Sequence, residues 1–331
     1  MVRTVLVTGS SGFIGQAFCS SLAQQTASDT RVVCVSRKPT AQLMVDDEPA
    51  VVVVYVEANF ADGPQLAEQL AAHGVAQVDV CVHLAAITGA GAEADCLETN
   101  VLGTHTLLRH CIDHLGCTKF VIASSIAASG CLSPSFVPQA LPIPDEHPCL
   151  DTKGYGMSKY FVEELSRFLC LQGSPADGST LDIINLRIAG VLRDDFEDEL
   201  LIARLAAPTS RPSVAAASPM FLSDMLRCLH TCVDAPHTAG VRVFNAVDTT
   251  SCLAPGVTVP ELVAGWWGEE VAQKLDLSHY EQPGHEQDAL FDTRCIAREL
   301  GFVPVFSARK AAVAALERST TAAGDEASAK L

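Results

Sequence analysis

Thr8-Gly9-Ser10-Ser11-Gly12-Phe13-Ile14-Gly15 is the stretch whose reading decides the fold. It follows the apolar run Val5-Leu6-Val7 and opens a helical pattern through Phe13, Ile14, Ala17 and Phe18. A strand, a glycine-rich turn and a helix N-terminus in succession form a cradle. Its backbone N–H groups and helix dipole suit the pyrophosphate of a dinucleotide. Far downstream, Tyr155 and Lys159 stand four residues apart, so both project from one face of a helix. A phenol beside an ammonium is an acid/base couple. Either signal alone is weak; in this order they point to a nicotinamide-dependent enzyme.

Outward from the loop, strand-like segments at 5–7, 32–35, 51–56, 78–84, 120–123 and 183–186 alternate with amphipathic stretches at 65–72, 96–115 and 155–171. This rhythm predicts an α/β fold, a doubly wound parallel (Rossmann) sheet with its ligand at the carboxyl ends of the strands. The most apolar run, 51–56, reads as a buried parallel strand. The alternation then breaks. Residues 134–148 are Pro-rich and read as a loop over the active site. Residues 193–218 suit a departure into a smaller C-terminal substrate domain, while 225–233 and 241–247 read as a helix and strand returning to the sheet. The expected division is therefore 1–190 with about 220–250 for the Rossmann domain, and about 191–219 with 251–315 for the substrate domain. Residues 316–331 are expected to be a flexible tail. Trp266-Trp267 reads as helix packing.

Composition excludes several classes. The chain has 331 residues, 48% hydrophobic and 18% charged, which is globular rather than disordered. A net charge of −17 argues against nucleic acid and against anionic membranes as partners. No signal peptide and no membrane-spanning run are visible, so an intracellular protein is expected. Thirteen cysteines, odd in number and irregular in spacing, favour reduced thiols. His110, Cys111, His114 and Cys117 share a predicted helix, but without a Cys-x-x-Cys pair they read as packing or surface residues, and no metal is expected. The terminal Ala329-Lys330-Leu331 is similar to a Ser-Lys-Leu peroxisomal address read by an import receptor; chance in an Ala-rich tail is the equal alternative, leaving the cytoplasm.

Several motifs in one order resemble the extended short-chain dehydrogenase/reductases, the group of sugar-nucleotide epimerases and dehydratases. They are the loop at 8–15, His83-Leu84-Ala85-Ala86, Asn100-Val101-x-Gly103-Thr104, Ser124-Ser125, Tyr155-Gly156-Met157-Ser158-Lys159, Asn185-Leu186-Arg187 and the segment 292–304. The resemblance implies an enzyme with Tyr155 as general acid/base on a substrate oxygen, Lys159 on the nicotinamide ribose, and a homodimer. A phenol brought from about 10 to about 7 needs roughly 4 kcal/mol of differential stabilisation, within reach of two nearby cations. Counting back from Gly130 selects Ser125 as the hydroxyl that orients the substrate, with Ser124 along the cofactor. Asn100 resembles the family's helix Asn near the lysine. His83 reads as a buried strand histidine.

The cofactor contacts expected are Gly9, Ser11, Gly12, Phe13, Ile14 and Gly15 on the loop, Ser36, Arg37 and Lys38 after the second strand, and Asn59 and Phe60. Leu84, Ala85, Ala86, Asn100, Ser124, Tyr155, Lys159 and Ile188 complete the set. At the second strand an acidic residue would accept ribose hydroxyls. Ser36-Arg37-Lys38 instead suits a 2′-phosphate, so NADP is favoured over NAD.

Ser125 is followed by Ile126-Ala127 rather than by acids, which disfavours dehydration. Ile188-Ala189-Gly190 and Gln282-Pro283-Gly284 stand where the family's nucleotide-sugar enzymes carry an Asn and an Arg. A nucleotide sugar is thereby disfavoured, although Arg193, Arg204 or Arg211 could serve. The leading expectation is a dehydrogenase/reductase of a small hydroxy or carbonyl compound, with a sugar acid as candidate. A sugar epimerase that keeps its cofactor is the alternative. A non-catalytic NADP-binding regulator is a third, disfavoured by the intact acid/base couple.

Overall fold

β-branched residues dominate the first three segments that become strands. The computed structural model describes residues 2–24, 30–38, 51–89, 91–173, 178–195, 214–254, 256–311 and 313–315. Arg204, Arg211 and the 316–331 tail with its terminal tripeptide lie outside the described residues. Within them, β1 (Arg3–Thr8), β2 (Thr30–Ser36), β3 (Val52–Glu57), β4 (Val80–His83), β5 (Lys119–Ser125) and β6 (Asp182–Ile188) form a seven-stranded parallel sheet, completed by the later Gly240–Ala246 strand. From one edge the order is β3, β2, β1, β4, β5, β6 and Gly240–Ala246. It reverses between β1 and β4, where Thr8 pairs with His83 on one side and with Val35 on the other. Such a switch point opens a crevice at the carboxyl ends of the strands.

Leu6, Val33, Phe120 and Ile122 of the sheet are buried with Leu66 and Leu70 of α2 (Gly63–Ala72) and Leu107 and Leu108 of α4 (Thr104–Leu115). Asp62 caps α2 by accepting from Gln65 N at 3.1 Å, with Pro64 in the first turn. α1 (Phe13–Ala23) buries Phe18, Cys19 and Leu22, and α5 (Gly154–Gln172) buries Val162 and Leu169.

Two expectations need correction. The 51–56 run is a parallel strand as expected, but most of it is not buried. As β3 it is the edge of the sheet among the described residues, and Val52 is 61% exposed. Residues 96–115 are not one regular helix either. A short α3 (Glu93–Cys96) leads into a π-helical turn, Leu97–Gly103, before α4 begins.

The chain divides into two compact units. The first comprises Met1–Gly130, Cys149–Arg187 and Leu226–Phe244; the second comprises Cys131–Pro148, Ile188–Met225 and Asn245–Leu331. The Pro-rich stretch thus belongs with the second unit. There, Asn245 N donates to Asp145 Oδ1 at 2.6 Å, and its amide donates to Ile143 O and Asp292 O. A short pair, β7 (Val191–Leu192) and β8 (Met220–Phe221), precedes α6 (Leu222–Asp234); the Gly240–Ala246 strand is β9. α7 (Val259–Trp267) opens on a Thr258/Glu261 capping box. At its end Trp267 Nε1 donates to Phe136 O at 2.6 Å and meets Trp266 edge to face, so the tryptophan pair does serve packing.

All thirteen cysteines are free thiols, and ten of them are buried. A hydrogen bond with Cys111, reinforced by burial, holds the Cys81 thiol well above its ordinary range; Cys19 is raised in the same way by Cys34. No helix among the described residues is long and apolar enough to cross a membrane.

Candidate active site

The glycine loop owes its shape to close approach. Gly9 has φ +70°, and a Cβ there would meet Ala85 N at 2.7 Å; one on Gly15 would meet Gly9 O at 2.1 Å. Gly12 N closes the turn on Gly9 O at 2.9 Å. α1 has no side-chain cap, so the first-turn N–H groups at Phe13 and Ile14 have no intrahelical acceptor. Thr8 fastens the neighbouring turn, with Leu84 N donating to its carbonyl at 3.2 Å and Ala85 N to its hydroxyl at 3.4 Å. Leu84, Ala85 and Ala86 thus skirt the loop. A cradle that admits no Cβ at Gly9 or Gly15, leading into the uncapped first turn of α1, fits the pyrophosphate of a nicotinamide dinucleotide.

At the end of β2, Ser36 is buried and its hydroxyl donates to Lys38 O, while Arg37 and Lys38 are exposed. Ser10 N reaches Val35 O at 3.4 Å, which sets this strand end beside the loop. Asn59 commits its side-chain oxygen to Ala61 N at 3.2 Å, in a turn of its own. Phe60 is buried, edge-on to His83 with ring centroids 4.9 Å apart.

Tyr155 and Lys159, the expected acid/base couple, sit on α5. Lys159 is buried, its Nζ 6.0 Å from the Tyr155 ring centroid and donating to Ala123 O at 2.6 Å. Desolvation lowers it from 10.5 to about 8, opposed by the Glu163 carboxylate. Ser125 ends β5, and its Oγ accepts from Ala127 N at 3.2 Å to cap the turn Ile126–Ser129. That turn lies against the start of α5. A Cβ on Gly156 would meet Ala127 O at 2.4 Å and Asp151 Oδ2 at 1.8 Å, so only glycine beside Tyr155 permits the approach. Ser125, Tyr155 and Lys159 are brought together at one end of the sheet.

Ser124 is placed differently. Its hydroxyl donates to Glu163 Oε1 at 2.6 Å. Glu163 is fully buried and also receives Arg187 Nε at 3.0 Å and Nη2 at 2.9 Å. Sequence reasoning missed Glu163, although its position four residues past Lys159 put it on the same helical face.

Asn100 lies within the π-helical turn, a distortion frequent at functional sites. Its Oδ1 accepts from Ile87 N at 2.8 Å, and its Nδ2 donates to Ile87 O at 2.9 Å and Ser158 Oγ at 3.0 Å. Asn100 thereby ties the loop after β4 to α5. His83 is the buried strand histidine expected, bridging Thr8 Oγ1 at 2.6 Å and Thr104 Oγ1 at 2.9 Å. Burial, then the Lys159 charge, lowers it to about 3, so its ring is neutral at physiological pH. Ile188 ends β6, buried, as the first residue of the second unit.

The family model for the NAD dependent epimerase/dehydratase family matches residues 5–191. UDP-glucose 4-epimerase of Drosophila melanogaster is 29% identical over 182 residues, 50% of this chain and 48% of that protein. The match therefore spans about half the length of such curated relatives. Among solved structures, UDP-glucose 4-epimerase from Bifidobacterium longum, in complex with NAD+ and UDP, superposes with a TM-score of 0.64 at 20% identity, covering 96% of this chain and 98% of that one. A mutated uronate dehydrogenase superposes with a TM-score of 0.58 at 19% identity, over 96% and 86% of the two chains. These two likenesses concern the fold. Because the matched residues run from β1 through β6 and take in the loop, Ser125, Tyr155 and Lys159, the chain belongs to the NAD dependent epimerase/dehydratase family.

Proposed function

We propose that the protein is an NAD(P)-dependent dehydrogenase/reductase of a small hydroxy or carbonyl compound, with a sugar acid as the leading class. The observation that carries this reading is Tyr155 and Lys159 on consecutive turns of α5, held against the Ser125 turn by Gly156. When bound, the nicotinamide supplies hydride exchange. Tyr155 moves the proton of the substrate oxygen, and Ser125 donates a hydrogen bond that orients it. Lys159, fixed by Ala123 O, supplies the cation that favours the phenolate. Arg37 and Lys38 support NADP over NAD.

Three arginines among the described residues of the second unit support a small substrate. Arg193 and Arg294 each grip a nearby carboxylate, Asp195 and Asp292, with two nitrogens, and Arg298 pairs with Glu299. A diphosphate would have to displace those partners. One observation favours a second reading, a sugar epimerase with retained cofactor: the curated relatives are UDP-glucose 4-epimerases. The deciding assay follows reduced-nicotinamide absorbance across sugar acids and aldehydes, beside epimer analysis of UDP-sugars. Stoichiometric cofactor turnover supports the dehydrogenase; interconversion of UDP-sugar epimers without net cofactor change overturns it. Phe161, Phe168 and Leu171, exposed along α5, support a homodimer.

A further inference from the structure

The segment that replaces the family's arginine with Gln282 carries three other groups that converge. Its backbone winds in successive turns of three: Gln282 N donates to His279 O at 3.4 Å, His285 N to Gln282 O at 3.0 Å, and Asp288 N to His285 O at 3.1 Å. These successive turns fold the segment so that His279, His285 and Asp288 converge. His279 Nε2 and His285 Nδ1 both reach the same oxygen, Asp288 Oδ2, at 2.9 and 2.8 Å. One ligand atom from each lies within 4.8 Å of the others.

We propose that His279, His285 and Asp288 form a binding site for a late first-row divalent cation, with Zn2+ as the type ligand. Two imidazoles and one carboxylate are a favoured donor set for this ion. A tetrahedral ion about 2.1 Å from each donor spaces the donors roughly 3.4 Å apart. The observed N–O pairs need to open by about half an ångström, exchanging two hydrogen bonds for coordination. Both flanks of the segment are anchored, which limits the ordering cost. Tyr280 is buried with its hydroxyl on Ala289 O at 2.8 Å, and Ser251 Oγ donates to Asp288 O at 2.8 Å. Three protein donors leave one coordination position for water or a ligand oxygen. The His110/His114 pair on α4 has a neighbouring carboxylate too, but Asp113 there is held by two nitrogens of Arg109, Nε and Nη2.

The test is calorimetric titration of Zn2+ into the tag-free, chelator-treated full chain, with Co2+ absorption as an independent readout. One equivalent should bind, and Co2+ should develop the visible bands of a tetrahedral site. His285→Ala should weaken Zn2+ at least tenfold, His285→Cys should retain it with an added thiolate–Co2+ band, and His114→Ala should change nothing. Absence of binding overturns the proposal. So does equal binding by the unaltered chain and His285→Ala, both confirmed as folded by circular dichroism.

Discussion

Arg187 closes on Glu163 with two nearly parallel hydrogen bonds, Nε to Oε1 at 3.0 Å and Nη2 to Oε2 at 2.9 Å, both side chains almost wholly excluded from solvent. This pair fixes the end of β6 to α5 one turn beyond Lys159. The same carboxylate holds the Ser124 hydroxyl and raises the affinity of Lys159 for its proton. Its buried charge therefore reaches both the fold and the acid/base couple.

Removing that charge should register twice. Glu163→Gln leaves the Arg187 cation buried without a counter-ion, a loss of about 3–5 kcal/mol in denaturant stability. Lys159 should also release its proton more readily, because desolvation acts unopposed. If catalysis requires the Lys159 cation, the unaltered enzyme loses rate as pH rises through about 8, and the variant loses it at lower pH. A rate profile that stays put while stability falls would confine Glu163 to a structural role.

Tyr155→Phe removes one oxygen at a half-buried position and should spare the thermal midpoint. Turnover should drop by about 10²-fold or more, the contribution of a positioned acid/base. Near-normal turnover would remove Tyr155 from the mechanism.

Acid should act through His83. Its folded value of about 3 lies below the ordinary 6.5, so between these limits the unfolded chain binds the extra proton. Stability is intact above pH 6.5 and is lost as pH falls through the window, by up to roughly 5 kcal/mol. His83→Gln, which can still bridge Thr8 and Thr104, should flatten the urea-midpoint profile between pH 6.5 and 4. An unchanged slope would assign acid sensitivity elsewhere.

On the proposed reading, nucleotide choice rests on Arg37. Arg37→Ala should weaken NADP by about 1.5–3 kcal/mol and leave NAD nearly unchanged, measured by calorimetry. Tighter NAD than NADP in the unaltered protein would refute the preference.

The glycine loop, the tyrosine–lysine spacing and the strand succession were legible because each is a local pattern. Gly9 and Tyr155 announce themselves through neighbours in sequence. What escaped depends on partners far along the chain. Nothing near Glu163 reveals that Arg187 and Ser124 will meet it, and nothing near Asn100 announces a π-helical turn or its grip on Ile87. The 51–56 run misled for a related reason: hydrophobicity marks it as a strand, but how deeply it is buried is decided by its place in the sheet. The convergence of His279, His285 and Asp288 likewise waits on the turns between them.

The buried thiols make the molecule its own unfolding gauge. A thiol shielded in the core and held protonated is nearly inert to alkylation, since thiolate is the reactive form. Cys81 and Cys117 can be labelled only when the core around them opens, whereas Cys149, Cys170 and Cys295 are partly accessible in the native state. Labelling should thus proceed in a fast surface phase and a slow core phase, the latter proportional to how often the first unit opens. Any occupant of the glycine cradle would slow that second phase in step with its affinity, so a mass spectrometer could rank cofactors and substrates without a catalytic assay.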